Sequence, residues 1–164
     1  MAIFPLTVYT GLKTVLEDSA YLSYVDTITI QKFRQDSMPN FDYYCIVISP
    51  QLASLVVYPA HQRYVENLIH LILLGKMLNG EADAILADQP GITPPNVGIL
   101  AMYEDVILTL YNNDLGGAIE LQPGIRELDE ASDFNVFVTE DREGFIMETK
   151  IVYKPRGERF VSLP

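Results

Sequence analysis

Apolar residues in this chain come in short runs, and prolines or turn residues close them. Tyr43-Tyr44-Cys45-Ile46-Val47-Ile48-Ser49 stops at Pro50, and Ser54-Leu55-Val56-Val57-Tyr58 stops at Pro59. Proline lacks the amide hydrogen that a central ladder needs, so such runs read as short strands between turns. An earlier segment, Tyr24 to Phe33, carries Val25, Thr27, Ile28, Thr29 and Ile30, and Asp36 to Asn40 with Pro39 closes it. Its β-branched residues suit a pleated surface. The short connections predict antiparallel neighbours. Tyr64 to Leu78 is Leu-rich, but the turn-like Tyr58-Pro59-Ala60-His61-Gln62 ahead of it predicts a returning strand.

Two segments break this pattern with helical spacing. From Pro5 to Asp18, Val8, Leu12, Val15 and Leu16 share one face, and Pro5 suits a first turn. From Asn96 to Asn112, Ile99, Met102, Tyr103, Val106 and Leu110 share a face with Glu104 and Asp105 off it, and Asn112-Asn113-Asp114-Leu115-Gly116-Gly117 stops the helix. Between strands and second helix lies Asn79 to Pro95, an irregular segment expected to hold one helical turn at Glu81 to Ala87. Connections of this length are usually functional or disordered. The remainder predicts an antiparallel meander of Ala118 to Gln122, Ile125 to Leu128, Phe134 to Thr139 and Phe145 to Tyr153, with Glu140 to Gly144 as its last turn. The expectation is one α+β domain over residues 1–164: a mainly antiparallel sheet packed with two principal helices, with a long loop at 79–95.

With 164 residues, 49% of them hydrophobic, the chain can bury roughly 70% of its unfolded surface without staples. A single cysteine, Cys45, excludes an internal disulfide framework, and with only two histidines it leaves too few ligands for structural zinc. The net charge of −11 is opposite to the basic footprint of a nucleic-acid binder. Lys13, Glu17 and Asp18 interrupt the first segment too early for a secretory leader. The apolar stretch Leu68 to Leu74 is far short of the ~18 residues a membrane span needs. No leader, anchor or membrane partner is therefore expected, and the lone Cys45 in a strand fits synthesis in a reducing interior.

Motifs for chemistry are missing. There is no G-x-S-x-G nucleophile elbow and no glycine-rich phosphate loop, and His61 and His70 do not have helical ligand spacing. His61 is expected in a surface turn, His70 half-buried, Ser49 as a strand terminator and Cys45 as a buried, inert thiol. No catalytic, metal-binding or cofactor-binding residue is predicted. Tyr43, Tyr44, Tyr58, Tyr64 and Tyr103 are expected mainly in the core.

Charge is segregated late in the chain. Glu127, Asp129, Glu130, Asp133, Glu140, Asp141, Glu143 and Glu148 face only Arg142, and Lys150, Lys154, Arg156 and Arg159 follow with only Glu158 against them. A solvated sheet face followed by a basic segment is the plain account. The sharper one is that opposite charges on successive subunits meet around a ring.

The order of elements, with the run Tyr43 to Pro50 and the closing segment Phe145-Ile146-Met147-Glu148-Thr149-Lys150-Ile151-Val152-Tyr153, resembles the tail terminator (tail completion) proteins of long-tailed bacteriophages. That resemblance implies a virion structural protein of the tail and neck, made in the host bacterial cytoplasm, with no catalysis and no cofactor. It implies a hexameric ring that caps the tail tube, ends its polymerisation and joins it to a head connector or stopper protein, while DNA passes without specific binding. On this basis Lys150, Lys154, Arg156 and Arg159 are expected at subunit or connector contacts. Glu81, Asp83, Asp88, Glu140, Asp141 and Glu143 are expected to face the lumen and repel phosphates. Another head-tail connector or head-completion protein is the nearest alternative, and a small-molecule-binding α+β domain a more distant one.

Overall fold

A computed structural model describes residues 5–34, 36–50, 54–57, 63–66, 69–111, 113–117, 128–131, 135–138 and 145–153. The chain is an α+β fold built on a six-stranded sheet. Strands β1 (Thr27–Ile30), β2 (Tyr44–Pro50), β5 (Ile69–Lys76) and β10 (Phe145–Tyr153) lie side by side in that order. Both β8 (Leu128–Ala131) and β9 (Asn135–Val138) pair antiparallel with the far edge of β10, one towards each end. Helices α1 (Pro5–Asp18) and α3 (Ile99–Leu110) cover one face of this sheet.

The helical spacing read from the sequence is what packs. Val8, Leu12 and Leu16 of α1 meet Ile99, Met102, Val106 and Leu110 of α3, all buried over Tyr44, Ile46 and Ile48 of β2, Ile69, Leu71 and Leu73 of β5, and Met147, Ile151 and Tyr153 of β10. Alternate residues of a strand point to opposite faces, so Cys45, Val47, Ile72, Leu74 and Ile146 form a second, smaller cluster on the other side. Phe33, Met38 and Phe41 pack over it. The two central strands are thus covered on both faces, which is why β2 reads as an unbroken apolar run without alternation.

One pairing departs from the sequence reading. β1 and β2 are parallel, with Thr27 opposite Cys45 and Ile30 opposite Ile48. The segment Gln31 to Tyr43 has the dozen or so residues that a crossover requires, and its Phe33, Met38 and Phe41 gain a buried surface by crossing the second face. A tight turn would have left them in water. The expected β2–β3 neighbourhood also fails: β3 (Ser54–Val57) pairs with β4 (Arg63–Glu66) in a separate two-stranded unit, and β2 pairs antiparallel with β5. The stretch expected as one returning strand over Tyr64 to Leu78 is therefore β4 and β5. Segment 79–95 holds the expected helical turn as α2 (Glu81–Leu86) and adds the short β6 (Asp88–Gln89), which pairs with β7 (Asn96–Val97); residues 90–94 are turn and bend. The expected strand Ala118 to Gln122 and the turn Glu140 to Gly144 lie outside the described residues.

The crossover is pinned at its return by Asp26. Its carboxylate accepts backbone N–H bonds from Asp42 (2.9 Å), Tyr43 (2.7 Å) and Tyr44 (2.8 Å), and the Thr27 hydroxyl at 3.0 Å. Partial burial pushes the Asp26 carboxyl up, but these donors outweigh it and hold it below the ordinary range. A depressed folded value contributes stability that is present above the ordinary carboxylate range, near pH 4, and lost as pH falls through the folded value. Asp26→Ala should cost about 2 kcal/mol at pH 7. Chemical denaturation of both proteins from pH 7 to pH 3 should show the difference shrinking with acid. A pH-independent difference would remove the carboxylate from this role.

Candidate functional site

The surface of interest is built on α3. Ile99, Met102, Val106, Thr109 and Leu110 are turned inward and Ala101 and Tyr103 pack beside them, which leaves one side of the helix facing outward. Leu100, Glu104 and Leu108 recur every fourth residue on that outer side, followed by Tyr111 just past the helix end. Leu108 is 56% exposed, Tyr111 61%, and Tyr21, in the turn Ala20–Leu22 after α1, 54%. Glu104 interrupts this stripe with a charge, so its exposed apolar area lies at Leu100 on one side and at Leu108 with Tyr111 on the other.

Beside this stripe the C-terminal ends of α1 and α3 frame an open groove of about 380 Å³, lined by Thr14, Val15, Asp18, Tyr21, Leu108 and Asn113 among others. Hydroxyls fix the approach of the two helices. Thr109 donates to the Asp105 carbonyl at 2.7 Å, and Ser19 and Thr109 share a 2.7 Å hydrogen bond. Asn113 Nδ2 closes the end of α3 by donating to the Thr109 carbonyl at 3.3 Å. α1 ends on Glu17 and Asp18, with no basic residue in its last turn. Lys13 meets Glu17 at 3.6 Å across one turn, on the exposed side. Carboxylates at the negative end of a helix dipole make this rim attractive to cations.

A second polar centre lies on the inner flank of α3. Tyr24 donates to Asp105 Oδ2 at 2.8 Å, and its ring meets Tyr44 edge-on with centroids 5.3 Å apart. Tyr44 in turn donates to the Pro95 carbonyl at 3.1 Å and accepts the Val97 N–H at 2.7 Å, tying β2 to β7. Asp105, expected off the packed face, is half-buried because Tyr24 reaches it. Burial raises the Asp105 carboxyl above its ordinary range; the Tyr24 hydroxyl opposes this, and the charges of Asp88 and Glu104 add to it. A raised carboxyl loses stability as pH climbs through its folded value and regains it in acid. Asp105→Asn keeps an acceptor for Tyr24 and removes the charge. It should therefore stabilise the fold at pH 7 by under about 1 kcal/mol, since solvent still reaches the group. Thermal unfolding should show the gain vanishing near pH 4; a loss of stability at pH 7 would contradict this account.

The other singled-out residues fall as follows. Glu81 and Asp83 occupy the first turn of α2 and Asp88 begins β6. The structure brings these three to one unit, but Asp83 accepts Asn96 Nδ2 at 3.1 Å, and Asp88 lies close enough to raise Tyr24 and Asp105. Lys150 sits mid-strand on β10 opposite Ile72, half-buried, on the face away from the helices. Half-buried His70 is held below its ordinary value by burial and by the Lys150 charge. Glu148, expected on a solvated face, is buried on β10. Burial and the Asp26 charge push the Cys45 thiol up to about 12, the value of an inert thiol. Ser49 is buried and accepts the Phe33 N–H at 3.2 Å, so it anchors the crossover as well as ending a strand. Tyr44 is buried, and Tyr43 and Tyr103 are half-buried. Lys154, Arg156, Arg159, Glu140, Asp141, Glu143 and His61 lie outside the described residues, as do the side chains of Tyr58 and Tyr64.

The apolar stripe and the groove were missed by sequence reasoning. Their signal was present in α3, where assigning one inward face leaves Leu100, Ile107 and Leu108 unaccounted for. Among the described residues no group of three or more His, Cys, Asp or Glu is placed to hold a metal ion, and no helix is long and apolar enough to cross a membrane. No family model matches the chain, and no curated protein matches it.

Proposed function

We propose that this chain is a ring-forming virion protein of the tail-terminator kind, which caps the tail tube of a long-tailed bacteriophage, ends its polymerisation and meets the head connector or stopper. The reading assigns the chain to the tail and neck of the virion after synthesis in the host bacterial cytoplasm, and assigns it no catalysis. It rests on the resemblance in element order, carried by the α+β fold. The observation that supports it best is the exposed apolar group at the end of α3, where Leu108 and Tyr111 stand in water with Tyr21 and a subunit contact would cover them. Net charge supports it too: a chain at −11 can line a channel through which DNA passes without being held. In this reading Glu81, Asp83 and Asp88, with Glu140, Asp141 and Glu143, face the passage, and Lys150, Lys154, Arg156 and Arg159 serve subunit or connector contacts.

Replacing Leu108 and Tyr111 together by serine should leave stability within about 0.5 kcal/mol, since both side chains already face water. The same variant should lose ring formation and the capping of tail-tube ends seen by electron microscopy. Wild-type protein that leaves tube ends bare and tube growth unchanged would overturn the reading.

A further inference from the structure

The groove between the ends of α1 and α3 carries the Asp18 carboxylate beside the C-terminal end of α1, with Val15, Tyr21 and Leu108 among neutral polar walls, which suits a cationic peptide with apolar side chains. Asp18 and the C-terminal end of α1 would repel a phosphate or carboxylate. Tyr21 and Leu108 offer faces on which a guanidinium can stack or an aliphatic chain can lie. The chain's own sequence contains such a peptide. Lys154-Pro155-Arg156-Gly157-Glu158-Arg159-Phe160-Val161-Ser162-Leu163-Pro164 brings three basic residues within six positions, followed by Phe160, Val161 and Leu163, in a protein of net charge −11. Extended, such a segment reaches about 3.3 Å per residue, enough to cross a subunit boundary.

We propose that the groove receives residues 154–164 of a second copy, with Lys154, Arg156 and Arg159 meeting the Asp18 rim and the apolar residues meeting Tyr21 and Leu108. The inference rests on the ring reading and specifies its contact. Groove and segment are different surfaces, so the contact is heterologous: each copy gives its segment to one neighbour and takes that of the other, and the series closes into a ring when the rotation allows. Charge complementarity sets the register of the segment in the groove.

Two full-length variants test this, Thr14→Cys at the exposed groove wall and Ser162→Cys in the segment. Cys45 is buried and stays silent to maleimides. A short bis-maleimide added to an equal mixture should join the two variants, and a chain carrying both substitutions should form covalent multimers. Reversing Lys154, Arg156 and Arg159 to glutamate should lower the yield about tenfold, the factor given by some 1.4 kcal/mol of lost contact. Adding Asp18→Lys to the reversed chain should restore it, which a general loss of folding would not allow. If the doubly substituted chain gives only an internally linked monomer, the groove holds its own segment and the proposal fails. If light scattering finds rings but no cross-link forms, this contact is wrong and the ring reading stands. If neither rings nor cross-links appear, both fail together.

Discussion

Gly98→Ala is expected to lower stability by about 3 kcal/mol and the melting temperature by about 10 °C, the shift typical of a chain this size. Gly98 caps the start of α3, where the chain comes from β7 and passes under α2. A Cβ built there stands 2.6 Å from the Leu86 nitrogen and presses on the Ile85 carbonyl. Those neighbours are backbone, so no side chain can rotate away. The Gly98 N–H also donates to the Ala87 carbonyl at 2.6 Å, which locks the approach. Either α2 moves off α3 or the first turn of α3 shifts, and both disturb Val97 and Ile99 in the core. The φ of −75° at Gly98 is ordinary, so the cost is one of space and not of backbone conformation. Circular dichroism melts of the two proteins measure it directly. An alanine variant within about 0.5 kcal/mol of the parent would mean that α2 does not pack as described.

Leu73→Ala should be the costlier of two adjacent truncations, at about 4 kcal/mol, with Leu74→Ala nearer 2–3 kcal/mol. Both side chains are fully buried in the same strand, so transfer from water contributes equally. They differ in what surrounds the hole. Leu73 points into the large cluster, walled by strands and by two helices that other contacts hold in place. Leu74 points to the smaller cluster, where the described cover is Phe33, Met38 and Phe41 on an irregular crossover. A cover of that kind can settle into the space and recover part of the loss. Equilibrium urea unfolding of the two variants decides the order, and the reverse order would show that the second face is the more rigid.

What could be read from the sequence depended on how local the physics is. Helix α1 runs over the predicted Pro5–Asp18, and α3 falls within the predicted Asn96 to Asn112, because the packed residues recur every three or four positions inside one segment. Strands β2, β3, β9 and β10 lie where β-branched and aromatic runs meet their stops. Pairing is different, because it depends on residues far apart in the chain. Turn residues from Asp36 to Asn40 fit a hairpin or a crossover equally well, and the choice falls to Phe33, Met38 and Phe41, which need an apolar surface that only the folded sheet provides. Asp105 shows the same limit: its place beside Met102 and Val106 gives no hint that Tyr24, from another element, would bury it. Of the charged residues, Glu81, Asp83 and Asp88 do come together, by their nearness in the chain. The exposed side of α3 was not legible in the same way, because helical spacing marks the face that packs and leaves open what covers Leu100 and Leu108.

The central claim is that copies of this chain join head to tail into a closed ring. Size exclusion coupled to light scattering over a wide protein concentration range, with negative-stain images of the largest peak, tests it most directly. The account predicts a species of about six copies with a central hole, closed by a heterologous contact. A monomer at every concentration, or a two-fold dimer that grows no further, would contradict it.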